Sequence, residues 1–173
     1  MDQKTRLNEP EPWLRGSLTE VPVVARAALH ALELAKEDFE RWAYGLTDEE
    51  LNLRIPGIAP IAFHLRHVAR SLDRLLSYAE GQQLNPEQIA LLEEELDPGA
   101  IRTELFQELT SAFKFSAARI HALANLDLNA KREVGSRKLP TTLAGLLVHV
   151  ADHTQRHVGQ AVTTAKIILA RRE

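Results

Sequence analysis

The chain has 173 residues, 45% of them hydrophobic and 26% charged, enough for one domain around a sizeable core. Its formal net charge of -3 gives no basic field for nucleic acid, and the absence of cysteine excludes disulfides, thiolate metal sites and a cysteine nucleophile. No apolar run is as long as a membrane span, and the polar stretch from Met1 to Pro12 lacks the apolar core of a signal peptide, so the expected location is the cytoplasm.

Residues 1–16 read as an N-terminal arm, because Pro10 and Pro12 oppose helix, with Trp13 and Leu14 pinning the arm to the body. Residues 17–173 read as one domain. Ser17-Leu18-Thr19-Glu20 has the form of a capping box, and Pro22 is tolerated in a first helical turn. Val24, Ala28, Leu32, Ala35, Phe39 and Trp42 recur at helical spacing, so a first long helix is expected from about Thr19 to Tyr44, with Gly45 as its stop. Thr47 to Glu50 repeats the capping-box pattern before a short helix, and Pro56-Gly57 marks a turn.

The second long helix is expected from Ala59-Pro60 to Glu80, with Gly81 as its cap and an apolar stripe of Ile61, Leu65, Val68, Leu72, Leu75, Leu76 and Ala79. A short extra helix follows from Asn85 to Leu96. Asp97-Pro98 reads as N-cap and first residue of the third long helix, with a stripe running from Ile101 to Leu123. Residues 125–140 are polar, Gly135-Ser136 could close a small hairpin, and the basic cluster Lys131-Arg132 with Arg137-Lys138 reads as solvated loop. Thr141 or Thr142 caps the last helix, which continues to about Arg171. The expected fold is all-α: a four-helix bundle with a short extra helix and a polar loop before the last helix.

Seven histidines are more than this composition needs, and His149, His153 and His157 fall in one segment. At ~100° per residue, and with His149 as zero, His153 lies near ~40° and His157 near ~80°, while the apolar stripe of the last helix centres near ~100°. His157 is therefore within the inward face, His153 near its border and His149 at its edge. Two imidazoles one turn apart on such a face can aim at a common ion. His64 and His67 offer further nitrogens from the second helix. The wheel places His64 nearer the stripe, but a flank position such as His67 can also reach an ion in an interhelical crevice, so the wheel does not decide. His30 and His121 read as ordinary boundary residues. Thr154, Gln155 and Arg156 separate His153 from His157, so the zinc-protease motif lacks its glutamate base. Gly145 and Gly159 sit inside the last helix, where glycine signals close packing or, at Gly159, room for substrate.

Two segments carry a family resemblance. Phe63 to Leu76 reads F-H-L-R-H-V-A-R-S-L-D-R-L-L, and His149 to Gln160 reads H-V-A-D-H-T-Q-R-H-V-G-Q. Their order and layout resemble the DinB/YfiT-like family of metal-dependent four-helix bundles. The resemblance implies one divalent metal, zinc or nickel, with His67, directly before Val68-Ala69-Arg70-Ser71, and His153 and His157 as ligands. His64, His149 and Gln160 then orient ligands or contact substrate. It further implies a homodimer, a small-molecule substrate, and a low-molecular-weight thiol as co-reactant in some members, so hydrolysis or thiol-dependent transfer is the expected chemistry. The alternative is a non-enzymatic bundle that binds metal or dimerises. A DNA-binding role has only the family name behind it and runs against the charge balance.

Overall fold

The computed structural model describes residues 9–172. In chain order it contains α1 (Val23–Trp42), α2 (Asp48–Leu51), α3 (Ile61–Ala79), α4 (Pro86–Glu93), α5 (Arg102–Leu123), a hairpin of β1 (Lys131–Val134) and β2 (Leu139–Thr142), and α6 (Leu143–Leu169). The four long helices form the bundle. α1 packs against α6 and α5, and α3 packs against the same two, so α1 and α3 occupy opposite corners. Gln155 donates to the Ala31 carbonyl at 2.7 Å, and the Lys166 ammonium lies 4.4 Å from the Trp42 ring centre, which makes α1 and α6 parallel. His64 faces His157 while His67 faces His153, so α3 runs antiparallel to α6. Tyr44, just beyond α1, meets Phe106 near the start of α5 edge to face at 5.1 Å. The helices therefore run up, down, down, up.

The stripes read from the sequence do bury. Leu65, Val68, Leu72 and Leu76 of α3 and Leu143, Leu147 and Val150 of α6 are wholly enclosed. Each such leucine contributes about 1.5–3 kcal/mol relative to exposure. No helix among the described residues is long and apolar enough to cross a membrane.

Several helix ends follow their sequence signals. Thr47 and Glu50 form both bonds of a capping box on α2, and Asn85 with Gln88 does the same on α4. Gly81, at φ +83°, ends α3 with Gln82 donating to the Ser77 carbonyl and Gly81 to the Tyr78 carbonyl. Thr142, rather than Thr141, caps α6 by accepting from the Gly145 amide. The expected hairpin is present, two residues longer than Pro140, with Lys131 opposite Thr142 and Val134 opposite Leu139.

Other expectations are corrected. The Ser17–Glu20 box caps nothing: α1 begins only after Pro22, because Leu18 turns at φ +56° and sends Val21 into the core. Of the expected arm, residues 1–8 lie outside the described ones. The rest is held by buried Pro12 and by Arg15, which pairs with Glu37 at 2.6 Å and Glu33 at 3.1 Å; Trp13 and Leu14 face outward. Asp97-Pro98 does not start α5. Gly99, at φ +81°, breaks the chain there, Asn52 ties both backbone groups of Ala100, and the carboxylate of Asp48 accepts from the Arg102 amide at 2.8 Å as a cap supplied from another element. The basic cluster is not plain loop, since Arg132 sits in β1 and donates to the Ala79 carbonyl at the end of α3. Gly145 serves its own cap rather than helix packing: a Cβ there would lie 2.7 Å from the Thr141 hydroxyl. One at Gly159 would meet nothing.

Candidate functional site

The antiparallel crossing of α3 and α6 brings four histidines onto one seam. His64 and His67 are three residues apart, His153 and His157 four, and both spacings keep a pair on one helix face. His67 Nε2 lies 3.2 Å from His153 Nε2. The ring centres of His67 and His157 are 4.2 Å apart, and those of His153 and His157 4.7 Å. One ring nitrogen from each of His67, His153 and His157 lies within 4.8 Å of the other two, a grouping able to hold a metal ion.

His64 stands outside that grouping. It is 1% exposed, as the wheel implied, and its Nδ1 lies 3.1 Å from His157 Nδ1. The two remaining sequence candidates are peripheral. His149 is half exposed, 5.3 Å from the His153 ring and paired through Nδ1 with Asp152 at 2.8 Å. Gln160 is exposed, and among the described residues no hydrogen bond joins its side chain to the cluster.

Electrostatics favour neutral rings. Burial, then the neighbouring His157 and His67, pushes His153 down to about 4; burial, then His67 and Arg156, pushes His157 to about 4. Burial with His157 and His67 does the same to His64. Neutral imidazole is the form that ligates. His67 Nδ1 lies 2.6 Å from Glu95 Oε2, so its proton belongs on Nδ1 and its Nε2 lone pair points at His153. His153 Nδ1 is buried with no hydrogen-bond partner among the described residues. Two facing imidazole nitrogens with one ring's far side orphaned are under-satisfied as hydrogen bonds. As a donor set for a cation they fit.

The residue that sequence reasoning missed is Glu95. It follows α4 in a 3₁₀ turn (Glu94–Leu96), is 3% exposed, and bridges His67 to Arg74, whose Nη1 donates to Oε1 at 2.7 Å. Its carboxyl is held below the usual range by its hydrogen bonds from His67 and Arg74, against the opposing effect of burial. A signal existed: Arg74 lies seven residues after His67, two turns along the same face of α3, and an inward arginine demands a carboxylate. Nothing in the local sequence said which one.

A bundle with a histidine cluster on the seam between antiparallel helices is the class that fold and site define. The chain belongs to the DinB superfamily, whose family model matches residues 31–161. A crystal structure of a conserved protein from Enterococcus faecalis is similar in fold, with a TM-score of 0.60 and 23% identity over 85% of this chain and 98% of that one. No curated protein matches the chain.

Proposed function

We propose that this DinB-superfamily protein is a metal-dependent enzyme that binds one divalent ion, zinc or nickel, through His67, His153 and His157. In this reading it acts on a small molecule by hydrolysis or by transfer to a low-molecular-weight thiol. The observation that carries it is the grouping of three imidazole nitrogens within 4.8 Å, with His67 locked by a buried carboxylate. Bound there with three protein ligands, the ion supplies a Lewis acid with an open position, able to lower the pKa of a bound water or thiol.

The chain's own residues divide the remaining work. Glu95 accepts the Nδ1 proton of His67 and thereby fixes its tautomer and ring plane; Arg74 fixes Glu95 in turn. With the proton of His157 on Nδ1, donated to His64, the His157 Nε2 lone pair is free to ligate. His64 is then a positioning residue rather than a ligand. Phe63 stacks on His67 at 5.1 Å and 20°, covering one ring face with an apolar surface. His149 and Gln160 border the seam and belong to this reading only as substrate contacts. The assembly that accompanies it is a cytoplasmic homodimer.

Metal content by elemental mass spectrometry is the test, on protein purified without chelator. About one equivalent is expected in wild type, lost in His67→Ala and kept in His64→Ala. Loss in His64→Ala alone would transfer the ligand role to His64. No metal in wild type, even after reconstitution, would leave a non-enzymatic bundle.

A further inference from the structure

The residual arm and α1 border a second place where side chains converge, an open pocket on the corner of the bundle diagonal to α3. A cavity of about 290 Å³ is lined there by Trp13, Ser17, Thr19, Arg26 and His30 among others. Two of these are residues the fold leaves unemployed. Trp13 is not needed to hold the arm, which Pro12 and Arg15 secure, yet its indole is ordered by a 2.8 Å bond from Nε1 to Glu11 and stays 61% exposed. Ser17 caps no helix; its Oγ instead lies 3.2 Å from His30 Nε2. His30 is 8% exposed, a buried imidazole that lines the same pocket as that serine. Leu18, immediately after Ser17, adopts φ +56°, a costly backbone state for a leucine, and Gly16 before it is at φ +67°.

Arg26 completes the set. Among the described residues it pairs with no carboxylate, and its hydrogen bond to the Thr19 carbonyl is long, 3.4 Å. An arginine with no acidic partner among the described residues, beside an open aromatic face, a hydroxyl and a buried imidazole, makes one recognition pattern. The aromatic face stacks a planar ring, the guanidinium takes a carboxylate in its fork, and Ser17, poised against His30, offers a hydroxyl to the second oxygen. The volume lies at the small end of ligand pockets and suits one or two rings.

We propose that this cavity binds a small aromatic carboxylate, as a site separate from the histidine seam. The proposal does not rest on metal binding. 2-Naphthoate is titrated into the full chain while the two tryptophan indole N–H signals are followed by NMR, with Trp13→Phe identifying which belongs to Trp13. The expected result is a saturable shift of the Trp13 signal, unchanged in His67→Ala. The dissociation constant rises about tenfold or more in Arg26→Gln, a loss of about 1.4 kcal/mol, and less in Ser17→Ala and Arg26→Lys. 2-Naphthylmethanol, the same rings without the anion, should produce no saturable shift. Absence of a shift at millimolar naphthoate, indifference to Arg26→Gln in a variant with wild-type chemical-shift dispersion, or loss of binding in His67→Ala would each overturn it.

Discussion

α3 has two polar flanks, and they differ in kind. Toward α5 its charges are closed on one another: Arg119 bonds Asp73 at 2.7 Å, Glu80 at 2.6 Å and the Ser77 hydroxyl at 3.2 Å, and Arg70 bonds Glu108 at 2.8 Å. Toward α6 the polar groups are imidazole rings facing one another, with one carboxylate behind them and a ring nitrogen left over. The first flank is complete as protein. The second leaves His153 Nδ1 buried without a hydrogen-bond partner among the described residues. Paired ions and converging imidazoles are equally polar in a sequence, yet only the second pattern is a grouping able to hold a metal ion.

The largest effect that separates the two flanks is expected at Glu95. Its side chain is 4% exposed and that of Arg74 10%, so Glu95→Ala leaves a buried guanidinium without its anion, a loss of about 3–5 kcal/mol. The same change frees the His67 ring and lowers metal affinity by about 10–100-fold. Glu95→Gln retains the shape and one acceptor oxygen, so it keeps the bond to only one of its two neighbours and sets an NH2 against the other; it should lose less stability than Glu95→Ala. Urea unfolding beside metal titration measures both quantities. Equal metal affinity in wild type and Glu95→Ala would remove Glu95 from the site.

Metal removal comes next. An ion at about 100 times its dissociation constant stabilises the folded state by ~2.7 kcal/mol, and a chain of this size shifts by roughly 2–4 °C per kcal/mol. Chelation is therefore expected to lower the melting temperature by about 5–10 °C in wild type and by nothing in His153→Ala. An equal shift in both would place the stabilising ion elsewhere. On the α5 flank, Arg119→Ala should cost no more than ~1 kcal/mol, since its ion pairs are partly solvated, and leave metal content unchanged.

How much of this was legible follows the range of the forces involved. The four stripes, the capping box at Thr47, the start of the short helix at Asn85, the Gly81 stop and the spacing of the histidines are local, and local sequence states them. What escaped is set by partners far along the chain. Glu95 belongs to a segment with inverted polarity: Gln88 and Glu95 face inward, while Ile89, Leu92 and Leu96 are 48–53% exposed. Periodicity turns that segment the other way round, because nothing within it announces Arg74 and His67 as the groups that draw Glu95 inside. The start of α5 escaped for the same reason, its amide being capped by Asp48, 54 residues earlier. The choice between His64 and His67 was ambiguous on the wheel because burial and convergence are different properties: His64 is the more buried and His67 belongs to the converging set.

The smallest expected effect lies far from both flanks, where Glu50 joins the capping box of α2 to Arg172 beyond α6. Glu50 accepts from the Thr47 amide at 2.8 Å and from Arg172 Nε at 2.7 Å, and these bonds lower its pKa from the ordinary 4.5. A carboxylate depressed by folding contributes stability that is present above its unfolded pKa and lost as pH falls through the folded value. The melting-temperature difference between wild type and Glu50→Gln should therefore be constant at neutral pH and close only below pH 4.5. The pair is solvated, so added salt should shrink the difference at pH 7 as well. A difference that survived both acid and salt would overturn this; one that vanished in both would mean that the charge paired with Arg172 is all that glutamine, which keeps the capping bond as Gln88 does on α4, fails to supply. That outcome would carry the lesson of the two flanks to the surface: a charge paired with a charge is there to be screened, and a polar group placed by geometry is not.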